Sequence, residues 1–253
     1  VLWEANPTLV ITRVTGFGQD GPHAGRPGFA TIAEAMSGFA DINGSPDGPP
    51  VLPPIALTDE LTAVVAAYAT MAAVHAGVGQ VVDVSLLDSL FSFMGHNWAA
   101  YAADGTLQPR MGSELPYSVP RNAYETADGR WVALSASADT VAARVATMVG
   151  LGDDERLRSF AGRVAHRAEL DAAVAAFIAE RTLDEVLTAF DAADAAVAPI
   201  YSMADVAEDP HFVERDATVT VDGIAMPGLL ARFSETPGRI RWAGRDERGR
   251  PAG

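Results

Sequence analysis

The sequence predicts a mixed α/β fold, and three segments carry that prediction. Leu9 to Thr15 (LVITRVT) is a β-branched apolar run bounded by Asn6-Pro7 and Gly16, as a buried strand would be. Gln80 to Leu86 (QVVDVSL) is a second run of the same kind. Between them, Thr58 to His75 is alanine-rich with apolar residues at helical spacing, so strand and helix alternate as they do in α/β proteins.

The chain opens on Val1 rather than methionine, and LWEANPTLVITRVTGFG reads as a helix end running into a core strand. An N-terminal piece is therefore expected to precede it. A glycine-proline loop follows the strand, Thr31 to Phe39 has helical spacing, and the Pro/Gly-dense segment from Asn43 to Pro54 must be loop. In the long helix, Leu61, Val65, Tyr68 and Ala72 form one stripe expected to face inward. A further helix is expected over Leu87 to Ala103.

From Pro109 to Pro120 the chain turns irregular, and a domain boundary is placed there. The expected organisation is residues 1–108 in a large domain, 109–200 in a small α+β domain, and 201–253 as a C-terminal return segment and tail. Ala123 to Ser135, centred on Ala-Asp-Gly, reads as a β-hairpin. Helices are expected at Thr140–Val149, Arg167–Glu180 and Leu183–Ala192. The last opens on a capping box, Thr182 with Glu185 three residues on, and turns Leu183, Val186, Leu187 and Phe190 inward. The tail should hold a short helix, a strand at Ala217–Val221, the loop RFSETPG and a frayed charged end.

Composition narrows the function. At 253 residues and 49% hydrophobic, the chain can bury a sizeable core. It has no cysteine, which excludes disulfides and thiolate chemistry. All 18 basic residues are arginine, so neither a lysine Schiff base nor a P-loop lysine can form, while bidentate capture of phosphate remains open. A formal charge of −15 argues against nucleic-acid binding. The apolar runs are interrupted by charge, Gly or Pro short of a membrane span, and a soluble cytoplasmic protein is the expectation.

Several residues invite chemistry. Gly16, Gly18 and Gly21 satisfy G-x-G-x-x-G after a strand, with Asp41 placed as a ribose-binding acid would be. Pro22, Gly25 and Pro27 forbid the helix that a dinucleotide site requires, so the motif is read as a turn. Asp59 and Glu60 both lie at the start of the long helix, where a carboxylate is either a helix-stabilising acid or a nucleophile. Arg26, between Gly25 and Pro27, is either a solvated loop charge or a phosphate contact. The five histidines have no ligand-like spacing, and no metal is expected. No serine-hydrolase elbow is present. Phe91, Phe93, Trp98 and Tyr101 are expected in the core.

Four segments taken in order carry a resemblance: NPTLVITRVTGFGQDGPHAGRPGF, IAEAMSGF with PDGPP, the TD helix with GQVVDVSLLDSL, and RVAHRAELDAAVAAFIAERTLDEVL with RFSETPG. Together they resemble the family III CoA-transferases, also called the CaiB/BaiF family. The resemblance implies a Rossmann-like large domain, here lacking its N-terminal part, with a small domain, in an interlocked homodimer. It places the family's nucleophilic aspartate on Asp59, which should then be buried beside a thioester carbonyl. It assigns Arg26, Gly28, Phe29 and Ala30, with Thr58, to coenzyme A, and makes an acyl-CoA and a small carboxylic acid the substrates. Racemases of the same family have a His-Asp pair where this chain has Phe29-Ala30, which ranks a racemase or isomerase lower. MGSELP at Met111–Pro116 is a poor match to the family's substrate loop, which keeps a non-catalytic CoA-binding partner subunit as a further alternative.

Overall fold

The structure, a computed structural model, describes residues 1–244. The expected frayed end falls on residues 245–253, outside the described residues. The chain divides into two compact units, one of residues 1–123 and 135–173, the other of residues 124–134 and 174 onward. The Pro-rich stretch 109–120 lies within the first.

The first unit opens with α1 (Leu2–Ala5) and β1 (Val10–Thr15), followed by α2 (Ala30–Met36), α3 (Phe39–Ile42) and α4 (Leu57–Ala76). The helix expected over Thr31 to Phe39 breaks because Gly38 takes φ of +90°, a left-handed conformation that favours glycine. Next come β2 (Gln80–Ser85), α5 (Leu86–Phe91), a 3₁₀ turn (Ser92–Met94) and α6 (Gly95–Asp104). β1 and β2 pair in parallel with Val10 opposite Gln80 and Thr15 opposite Ser85, and α4 is the crossover that packs on both. An α/β fold is therefore present.

Three packing expectations are overturned. β1 is only half-buried, with Val14 and Arg13 exposed, because β2 is its one neighbouring strand among the described residues. The buried side of α4 is Thr58, Thr62 and Ala73, whereas Tyr68 is 64% exposed. Small residues face the strands because they allow close approach: the Thr70 and Thr12 hydroxyl oxygens lie 2.5 Å apart. The buried hydroxyls are satisfied locally, Thr62 donating to the Thr58 carbonyl at 2.6 Å and Thr70 to the Ala66 carbonyl at 2.7 Å. By length and mean hydropathy, 1.2, α4 could cross a membrane, contrary to the reading of interrupted runs, although its first turn carries Asp59 and Glu60. Finally, Phe91, Phe93, Trp98 and Tyr101 are exposed rather than core, with the Trp98 ring edge-on to Phe91 at 6.2 Å and tilted against Tyr101 at 6.1 Å.

β3 (Arg121–Glu125) and β4 (Trp131–Ser135) form the expected hairpin, closed by the Thr126 N–H donating to the Arg130 carbonyl at 2.8 Å. After it, the first unit continues with α7 (Asp139–Met148), a 3₁₀ turn (Glu155–Leu157), the unexpected α8 (Phe160–Ala165) and the start of α9 (Arg167–Ala179). Arg163 of α8 is 1% exposed, and it donates to the carbonyls of Val119 and Leu157 and to Asp139 at 2.6 Å.

In the second unit, α10 (Leu183–Ala192) starts on the predicted capping box and buries Val186 and Phe190. β5 (Val197–Pro199) pairs antiparallel with β4, giving the order β3-β4-β5. α11 (Met203–Glu208) and α12 (Pro210–Glu214) precede a hairpin of β6 (Thr218–Val221) and β7 (Ile224–Pro227).

Candidate active site

The site is built at the C-terminal end of β1. The Thr15 hydroxyl, at the end of that strand, accepts from the Gly18 N–H at 3.0 Å. Gly18 takes φ of +86°, folding the turn back, and Asp83 of β2 accepts from the Gln19 N–H at 2.8 Å. The Gly16 carbonyl accepts from the N–H of Leu87 at 3.2 Å. The turn is thus pinned to both strands. No helix forms until Ala30, so the glycine motif does not build a dinucleotide site, as its prolines dictate.

Gly16 and Gly28 are in backbone contact. A Cβ added at Gly16 would lie 2.8 Å from the Gly28 Cα, and one at Gly28 would lie 2.7 Å from the Phe17 ring. This approach sets the segment from Arg26 to Ala30 against the end of β1. Arg26 is exposed, and its Nη1 donates to His23 Nδ1 at 3.1 Å, while the His23 ring sits 5.3 Å from that of Phe17. A guanidinium has only donors, so Nδ1 is the acceptor. Phe29, 76% exposed, is the N-cap of α2, and Ala30 opens that helix.

Asp59 lies at the same end of the sheet. The chain leaving α4 at Gly79 touches Pro7, just before β1, so the other end of this crossover helix lies toward the strands' C-terminal ends. Ala56 caps α4 without a side-chain bond, leaving first-turn N–H groups and the positive end of the helix dipole around Asp59. The expectation of a buried carboxylate is not met: Asp59 is exposed, as is Glu60, and Asp59 has no side-chain partner among the described residues. The loop before α4, residues 51–56, is itself largely exposed. Thr58, by contrast, is wholly buried, and its hydroxyl donates to Glu34 Oε1 at 2.9 Å. With its hydroxyl engaged, Thr58 has only its backbone to offer a ligand.

Three contributors escaped the sequence reading. Asp83 holds the glycine turn, His23 orients Arg26, and Glu34, 3% exposed on α2, meets Thr58. The signal for Glu34 was present: an acid four residues after Ala30 and adjacent to Ala33, on the side of α2 that is buried. Among the described residues no three His, Asp or Glu side chains gather as metal ligands. The arrangement offers an accessible carboxylate at a helix N-terminus, with a restrained arginine and bare glycine backbone at the same C-terminal end of the parallel strands, where α/β proteins bind ligands.

The model for CoA-transferase family III matches residues 1–246. Succinyl-CoA–D-citramalate CoA-transferase of Chloroflexus aurantiacus is 36% identical over 94% of this chain and 62% of its own length. The beta subunit of succinyl-CoA–L-malate CoA-transferase from the same organism is 34% identical over 96% of this chain and 64% of its own. A CaiB/BaiF family protein of Brucella suis superposes with a TM-score of 0.78 at 29% identity, over 93% of this chain and 64% of the other. The chain thus spans a little over three fifths of the length of these relatives.

Proposed function

This chain belongs to CoA-transferase family III, and from that premise we propose that the protein moves CoA from an acyl-CoA thioester to a carboxylic acid, with Asp59 as nucleophile. The observation that carries the proposal is an exposed carboxylate, unpartnered among the described residues, on the first turn of α4, at the end of the sheet that also holds the Gly16–Gly28 contact. The Asp59 carboxylate attacks the thioester carbonyl, the C–S bond breaks, and a mixed anhydride and CoA thiolate result. The thiolate then attacks the aspartyl carbonyl, releasing the donor acid and leaving an aspartyl-CoA thioester. The acceptor carboxylate repeats the exchange in reverse: it attacks that thioester, and the thiolate returns to the acceptor acyl carbon, restoring Asp59. A carboxylate nucleophile needs no general base, so the protein supplies placement and N–H donors for the developing oxyanion.

Arg26, Gly28, Phe29 and Ala30 line the CoA path, Arg26 meeting phosphate with the guanidinium edge that His23 leaves free. Succinyl-CoA is the proposed donor and a short 2-hydroxy dicarboxylic acid the proposed acceptor, by likeness to the citramalate and malate enzymes. Phe29-Ala30 provides no acid–base pair, which favours transfer over racemisation. The large domain is proposed to be Rossmann-like, within an interlocked, cytoplasmic homodimer. The exposed Val64, Tyr68, Met71 and Val74 on α4 support burial of that helix in a larger assembly.

Replacing Asp59 tests the assignment. In the native protein, Asp59→Ala should abolish succinyl-CoA-dependent transfer to malate or citramalate while far-UV circular dichroism is unchanged. Transfer at the wild-type rate would sink it, and a wild-type protein that binds CoA without transferring it would favour the partner-subunit reading.

A further inference from the structure

The start of α4 has an unusual anchor. Its N-cap is Ala56, which has no side chain able to satisfy the first-turn N–H groups, and the next polar side chain, Thr58, does not turn back to cap the helix. Instead, the Thr58 hydroxyl crosses to α2 and donates to Glu34 Oε1 at 2.9 Å, in a contact where both residues are essentially solvent-free. The Thr58 carbonyl is held from the other side by the Thr62 hydroxyl at 2.6 Å. Glu34 thereby fixes the turn that carries Asp59 to the helix that begins at Ala30, directly after the Arg26–Phe29 segment.

A buried carboxylate costs considerable desolvation, and an apolar side chain would pack the α2–α4 contact without that cost. A hydrogen bond whose donor and acceptor are both out of water is, however, more directional than packing. We infer that Glu34 is a positioning residue: its bond to Thr58 sets the first turn of α4, and with it Asp59, against the segment that follows β1. The inference rests on the reading of Asp59 as nucleophile and adds the element that aims it. Glu34 does not touch substrate; it acts through Thr58.

The test is a set of variants of the native protein: Glu34→Gln, Glu34→Ala, Thr58→Val and the Glu34→Ala/Thr58→Val double variant. Each is assayed for succinyl-CoA-dependent transfer and for the rate at which Asp59 is labelled when acyl-CoA is trapped with hydroxylamine. Misplacing a reacting group by about 1 Å costs on the order of 100-fold, so Glu34→Ala and Thr58→Val should each lower kcat by roughly 10- to 100-fold and slow labelling equally. KM for acyl-CoA should change by less than about threefold, since the Arg26–Ala30 segment is untouched, and the double variant should be no worse than either single one. Glu34→Gln keeps an acceptor oxygen at the same place and should recover most of the activity.

Wild-type kcat in a folded Glu34→Ala variant, or a loss confined to KM, would overturn the inference. So would losses in the two single variants that multiply in the double. If Glu34→Ala fails to fold, Thr58→Val and Glu34→Gln decide by the same kcat criterion. A dead Asp59→Ala variant beside a fully active Glu34→Ala variant rejects only this inference. An active Asp59→Ala variant rejects the nucleophile assignment itself.

Discussion

The Gly16–Gly28 contact places the segment proposed to bind CoA with no side chain between two backbones. A methyl at Gly16 would meet the Gly28 backbone at 2.8 Å, and backbone yields less readily than a side chain. Gly16→Ala should therefore push Arg26–Ala30 off the end of β1, raising KM for acyl-CoA more than it lowers kcat, at a stability cost of about 1–3 kcal/mol in chemical denaturation. Gly28→Ala meets the Phe17 ring instead and should be the milder of the pair. Arg163 gives a purely structural counterpart. Its guanidinium, nearly solvent-free, joins two backbone carbonyls to an Asp139 that is itself largely exposed, so Arg163→Met should destabilise by roughly 1–3 kcal/mol, the order expected when buried carbonyls lose their donor.

Among the elements, α10 shows how a local signal becomes a pH response. Backbone and hydroxyl donors from Thr182 hold the Glu185 carboxyl below its usual range. A lowered folded value means that this contribution is complete above the unfolded pKa, about 4.3, and is lost as pH falls through the folded one. Glu185→Gln, which removes the titrating group, should thus flatten the loss of stability between about pH 5 and pH 3, measured by urea unfolding at each pH. The capping box could be read directly because its partners are three residues apart. The inward face of α4 could not. Hydrophobicity alone points Tyr68 to the core, whereas small residues meet the neighbouring elements, Thr70 at Thr12 of β1 and Thr58 at Glu34 of α2, a preference that depends on neighbours distant in sequence. β7 was missed although Asp222-Gly223, both with positive φ, forms the hairpin turn; its four residues end on a proline and lack strand character.

Across the whole molecule, what the sequence revealed follows the range of the interactions. Alternating strand and helix made the α/β class legible, and ordered motifs made the family legible, because each is written in contiguous residues. The Glu34–Thr58 bond joins positions 24 apart and the Gln19–Asp83 bond positions 64 apart, so neither leaves a local pattern. The burial of Asp59 was expected and is absent in this chain, while its station on the first turn of α4 is as expected. The most direct measurement is peptide mass spectrometry of the native protein after incubation with succinyl-CoA and hydroxylamine. A hydroxamate on Asp59, absent without acyl-CoA, is the predicted result; turnover with that peptide unmodified and the label on another carboxylate would contradict it.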